Sequence, residues 1–240
     1  MRVCGFSSLV VLVALTFGTS SQAQQAPAAS AGSRTEVYHV HFTKAVPGQA
    51  DALGKSLMTP DPSSPMPGHA IVLRHQEGDS WDYAVVEHLG PKATVDASAP
   101  APSAAVRDLR AWHNDTFVAG PSWAEFSREM GLGGSSAAAG MVYIVGVQRA
   151  VPGHRDQLEK LLMQVPATKN KVQQGNVLLQ HLEGADWNYL TITRYNSWQD
   201  LATERAEAAA NPAAAGGWSD VRQHSDFHRD TLADRIFPAK

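Results

Sequence analysis

Cysteine is almost missing: Cys4 is the only one in the 240 residues. A single thiol can build neither a disulfide framework nor a thiolate metal centre, so stability has to come from a hydrophobic core. Neither charge is in excess, with 20 basic against 23 acidic residues and a net charge of −3. A nucleic-acid surface needs a basic field, so no nucleic-acid partner is expected. After the first residues no apolar run is long enough to cross a membrane as a helix, and no membrane span is expected. The sequence also lacks a nucleophile elbow, a phosphate loop, a paired-carboxylate motif and HExxH. Hydrolase and kinase chemistry therefore have no support.

What is present begins with a leader. Arg2 precedes the apolar run "LVVLVALTF" (Leu9 to Phe17), and Ser21-Gln22-Ala23 has small residues where a signal peptidase reads. Residues 1–23 are thus expected to be a secretory signal peptide, with a periplasmic or secreted product. Residues 24–34 read as a disordered linker. Removing the leader takes Cys4 and Arg2 with it, leaving 19 basic against 23 acidic residues.

The rest of the chain says the same thing twice. "LRHQEGDSWDY" (Leu73 to Tyr83) and "LQHLEGADWNY" (Leu179 to Tyr189) share Leu, His, Glu, Gly, Trp and Tyr at matching places. Ala45-Val46-Pro47-Gly48 is matched by Ala150-Val151-Pro152-Gly153, and "VRDLRAWHNDTF" by "VRQHSDFHRDTL". Three blocks in the same order imply an internal duplication. Each copy reads as a strand ("EVYHVHFTKA", "MVYIVGVQRA"), a helix opened by Pro-Gly, and a hairpin. A second helix is expected to carry the His-x-Asp-Thr motif, with any fourth strand weak or absent. "DASAPAPSAA" and "AEAAANPAAAGG" read as low-complexity insertions before that helix. The expected layout is a first repeat over 35–130, a flexible linker over 131–140 and a second repeat over 141–240.

A β-α-β-β-α unit with one helix-covered face resembles the dimeric α/β-barrel superfamily, whose units are ferredoxin-like. The resemblance spans about Thr35 to Phe237 and rests on element order and pattern. It implies an α+β fold in which two such repeats pack sheet to sheet around a cavity, here within one chain. The superfamily includes cofactor-independent monooxygenases and haem-degrading and haem-dependent enzymes, so the resemblance by itself does not choose a function.

Strand alternation then assigns faces. Tyr38, Val40 and Phe42, bulky and apolar, are expected beneath the helices, which turns His39 and His41 toward the cavity. A hairpin register pairing His75 with Tyr83 and His181 with Tyr189 adds those four side chains and Glu87. The candidate ligand-binding set is therefore His39, His41, His75, Tyr83, Glu87, His181 and Tyr189. His75 and His181 are also read as hydrogen-bonded to Tyr83 and Tyr189, and Trp81 and Trp187 as packing anchors. His113 and His228 are assigned structural roles, because residues two apart on a helix do not face each other. Two histidines with a carboxylate such as Glu87 are ligand types a divalent metal accepts. H-x-H on a strand is a short motif, however, and no metal is assigned and no cofactor named. The expected function is an exported protein binding a small, partly apolar ligand; the alternative is a monooxygenase-like or haem-binding enzyme.

Overall fold

The computed structural model describes residues 34–59, 64–92, 104–132, 140–164, 172–214 and 216–238. The leader, nearly all of the linker after it, most of the first insertion and most of 131–140 lie outside the described residues. The first half contains β1 (Glu36–Ala45), α1 (Ala50–Leu57), β2 (Ala70–Glu77), β3 (Tyr83–Pro91), α2 (Ala104–Arg107), β4 (Arg110–Gly120) and α3 (Trp123–Glu129). The second contains β5 (Val142–Ala150), α4 (Arg155–Met163), β6 (Gln173–Glu183), β7 (Tyr189–Tyr195), α5 (Trp198–Ala210), α6 (Trp218–His224) and β8 (Ser225–Phe237). The fold is α+β, dominated by one antiparallel sheet. Among the described residues no helix is long and apolar enough to cross a membrane.

The eight strands close into a barrel in the order β1-β3-β2-β8-β5-β7-β6-β4. The seams are β2 against β8 and β4 against β6, so each half of the chain seals the other. Closure leaves no open sheet edge. It also draws in two segments expected to be helical. "WHNDTF" and "HRDTL" are not helical; they lie on β4 and β8, each flanked by strands on both sides. These segments pair along their length with β1 and β5, and their helices shrink to α2 and α6 just upstream. The second insertion is also partly ordered, because α5 continues through its first residues to Ala210.

The strand faces are also the reverse of those expected. Tyr38, Val40 and Phe42 do not lie beneath helices. They share one buried cluster with Tyr143, Val145, Leu179, Leu190 and Ile192 from the other half, which places them inside the barrel. The outer faces carry smaller cores. Leu53 of α1 packs on Val72, Tyr83 and Val85; Leu158 of α4 packs on Leu178 and Tyr189. The largest shared volume is where eight strands converge, so the bulkiest side chains belong there.

The hairpins are displaced from the expected register by one residue. Arg74, not His75, lies opposite Tyr83, and Gln180, not His181, lies opposite Tyr189. A single-residue slip exchanges every face. Both faces of these strands are buried, as "AIVL" and "YAVV" show, so alternation carries little register information.

At the end of the barrel away from the hairpins sits α3, a helix with an N-cap signal: Ser122 Oγ accepts from the Glu125 amide at 3.3 Å. Its Phe126 stacks on Tyr38 at 5.1 Å between ring centroids, and with Met130 it joins the interior cluster.

Candidate functional site

The expected ligand set is divided by the barrel wall. His75 and His181 turn inward, each edge-on to a tryptophan, Trp81 at 5.6 Å and Trp187 at 5.5 Å. Tyr83 and Tyr189 turn outward and tether helices. Tyr83 donates to the Ala50 carbonyl at 2.7 Å, and Tyr189 donates to Glu159 Oε2 at 2.8 Å. The His-Tyr hydrogen bonds expected within each hairpin are therefore not formed, because the register places the partners on opposite faces. His39, His41 and Glu87 are also outside the barrel, and no common cavity joins the seven residues.

A cavity of about 190 Å3 opens at the hairpin end of the barrel. Five aromatic residues line it: Phe42, Trp81, Trp112, Trp187 and Phe227. Among its polar groups are Asn114, Thr231, Asp79 and Arg229. Arg229 pairs with Asp79 at 2.9 Å and lies over the Phe227 ring, its guanidinium carbon 5.2 Å from the centroid. None of the histidines in the expected set contributes to this wall. Trp112, Asn114, Phe227 and Arg229 were hidden from sequence reasoning because their segments read as helix. As strands, Trp112 and Asn114 alternate with His113 and Asp115 and so face inward.

The outward histidines form a second constellation. On β1, His39 and His41 project to the same face. On β4, His41 stands opposite Asp115, and on β3, His39 stands opposite Glu87. His39 Nε2 and Asp115 Oδ1 are 2.9 Å apart, and His39 Nδ1 is 3.9 Å from Glu87 Oε2. His113 Nε2 lies 3.1 Å from the other Asp115 oxygen, Oδ2. Burial pulls the His39 pKa down, but the Asp115 and Glu87 carboxylates outweigh it and push it up to about 9. His41 goes the other way, down to about 3, through burial and the nearby His39 and Arg110 cations. The His39 hydrogen bond in turn holds Asp115 below the usual carboxylate range. His41 Nε2 is buried with no hydrogen-bond partner. A polar atom left so costs about 1–3 kcal/mol.

A third group was not foreseen. His88 is buried inside the distal end of the barrel, 3.1 Å from Glu36 Oε2 through Nε2 and 3.2 Å from His69 through Nδ1. His69 stacks on Trp123 at 4.7 Å. The sequence offered no signal for it, since the three residues come from separate segments.

No protein-family model matches the chain, and no curated protein does. Solved structures match over nearly its whole length. An anthrone oxidase-like protein aligns with a TM-score of 0.55 at 14% identity, covering 86% of this chain and 93% of the other. Two structures provisionally described as monooxygenases also match. The one from Fusobacterium nucleatum aligns with a TM-score of 0.54 at 8% identity, covering 84% of this chain and 93% of the other. The one from Lactobacillus acidophilus aligns with a TM-score of 0.51 at 8% identity, covering 84% and 94%. The chain shares their fold, an α+β antiparallel barrel consistent with the dimeric α/β-barrel type. At these identities the likeness speaks for the barrel and leaves the chemistry to the side chains.

Proposed function

We propose that the protein is an oxygenase or oxidase acting on a compact aromatic molecule held in the barrel-end cavity. The observation that carries this reading is the wall itself: five aromatic faces around a small opening, with Arg229 and Asn114 as convergent polar groups. Flat rings dock on such faces. Arg229 bonds Asp79 through one nitrogen, Nη1, and its remaining N–H groups are the donors that favour the ionised form of a phenol or enol. An ionised hydroxyarene or anthrone is electron-rich enough to react with oxygen directly, so the protein would hold, ionise and shield it. The described neighbours, an anthrone oxidase-like protein and two structures provisionally described as monooxygenases, agree with that class of chemistry.

A haem does not fit the same wall. No histidine lines it, and about 190 Å3 is too narrow for a macrocycle. The expectation of a bound ligand without turnover is favoured by one feature: Asp79, a carboxylate in the lining, is already committed to Arg229.

The test combines tryptophan fluorescence with an oxygen electrode, using anthrone and naphthohydroquinone as probes. Quenching of Trp81, Trp112 and Trp187 together with oxygen uptake is expected, with uptake reduced by roughly tenfold or more in Arg229→Ala, as for loss of a charge-stabilising group. Quenching without uptake would favour binding alone. Neither signal from either probe would overturn both readings.

This proposal extends to assembly and location. The β4-β1-β3-β2 and β8-β5-β7-β6 orders support a tandem duplication of one ferredoxin-like unit, closing the barrel within a single chain. The leader supports export with cleavage after Ala23; the intact mass of native material checks it.

A further inference from the structure

We infer that His39, His41 and Asp115 form a binding site for a divalent transition-metal ion on the outer face of β1 and β4. One ring nitrogen from each histidine and one Asp115 oxygen already lie within 4.8 Å of one another. The site is independent of the cavity reading above: Phe42 and Asn114, the adjacent residues on the same strands, face the cavity on the other side of the wall.

The donor set suits the ion class. Two imidazoles and one carboxylate are borderline ligands for zinc, iron, cobalt or manganese, and three protein ligands leave positions open for water. The spacing is close to what coordination needs. Ligands about 2.1 Å from a shared metal and adjacent to each other stand roughly 3 Å apart. His39 Nε2 and Asp115 Oδ1, 2.9 Å apart, already stand at this distance, and the third ligand atom lies within 4.8 Å of both, a gap that side-chain rotation closes.

The surrounding groups resemble those that orient metal ligands. Glu87 approaches His39 at Nδ1, the nitrogen that would not face the metal. His113 holds Asp115 by Oδ2, leaving Oδ1 to the ion. Such outer contacts fix the tautomer and the orientation of ligands. Arg110 is the opposing charge nearby, offset by the Asp115 carboxylate. His41 adds the independent pointer: it is only 9% exposed, and its Nε2 has no partner in the protein. Asp115, with a side chain 46% exposed, provides access from solvent.

The other half supplies a contrast within the molecule. At the matching register β5 and β8 bring Gly146 opposite Asp230. A Cβ on Gly146 would lie 2.7 Å from both Asp230 Oδ1 and Thr191 Oγ1, so a side chain there would have to displace these two side-chain ends. Asp230 is occupied instead by His228 at 2.8 Å and Arg205 at 3.7 Å. The barrel is therefore built without the two imidazoles in that half, and they are not a packing requirement of the fold.

The experiment uses untagged protein, stripped with a chelator and titrated with Co(II), followed by competition with Zn(II). One Co(II) per chain is expected, with visible ligand-field bands that Zn(II) abolishes. His41→Ala and Asp115→Asn should each weaken binding by roughly 100-fold or more, and Glu87→Gln by roughly tenfold, the range for an outer-contact residue. His154→Ala, in a histidine pair elsewhere, should bind as wild type. Circular dichroism checks each fold; if His41→Ala does not fold, the near-isosteric Asp115→Asn decides. Substoichiometric uptake at saturating Co(II) would overturn the assignment. So would full-affinity binding by Asp115→Asn.

Discussion

Gly78, at the tip of the first hairpin, sits directly against the Asp230 carbonyl of β8: a Cβ there would lie 2.6 Å from that oxygen. Gly184, its counterpart in the second hairpin, sits still closer to the Asp115 carbonyl of β4. Both have positive φ, 126° and 101°. This answers why the same glycine recurs in both hairpin phrases. Each hairpin tip docks on a strand of the other half, and only a residue without a side chain permits the approach. The Asp79 amide, donating to Thr231 Oγ1 at 3.2 Å, completes the first contact. Alanine at either site adds an unfavourable φ to a collision with backbone. Gly78→Ala and Gly184→Ala should each lower stability by about 2–4 kcal/mol, read from urea denaturation. A loss below about 0.5 kcal/mol, the range of ordinary surface changes, would show that the seam tolerates a side chain.

The two hairpin tyrosines should behave as helix tethers. Tyr83→Phe removes only the hydroxyl that donates to Ala50, and Tyr189→Phe the one shared with Glu159 and Arg155. Each change should cost about 0.5–1.5 kcal/mol, the net value of a typical hydrogen bond. Aromatic binding in the barrel-end cavity, followed by tryptophan quenching, should not change, because both hydroxyls are outside the barrel. Weakened binding with unaltered melting would return these residues to the ligand site.

Stability should fall on acidification below about pH 6.5, in part through His181. Its pKa is lowered from 6.5, first by burial and then by the Arg155 cation, against the opposing carboxylates of Asp186 and Glu183. Its Nε2 accepts from the Ala185 amide at 3.1 Å, a role only the neutral ring can play. The unfolded chain therefore takes up its proton first as pH drops. Where the unfolded state binds more protons, stability rises with pH. The contribution is intact above the unfolded value and is lost as pH falls below it. His181→Gln should flatten the slope of melting temperature against pH between about 5 and 7, the histidine range. An unchanged slope would assign the acid sensitivity to other groups.

Much of the element order was legible in the sequence. Pro47-Gly48 and Pro152-Gly153 mark the starts of α1 and α4, and β1 was delimited to its observed ends. Those features depend on local chemistry: turn residues, helical spacing of Leu53 and Leu158, and runs of β-branched residues. Ser122 and Glu125 also signalled α3 locally, although the helix was not anticipated.

Three things were decided only in three dimensions. The segments from Arg110 and Ser225 became strands by pairing with β1 and β5 along most of their length and with β6 and β2 at their C-terminal ends; no local pattern encodes partners so distant in sequence. The inside and outside of the barrel were settled by where eight strands leave the most volume to fill, not by hydrophobicity, since both faces of β2 and β3 are apolar. The candidate site followed from these two. His39 and His41 could be read as sharing a face of β1, a two-residue period that sequence displays. That Asp115 completes the cluster depends on β4 being a strand, on its register with β1, and on the face turned outward. These are properties of the closed barrel, and a linear chain has no face until something packs against it.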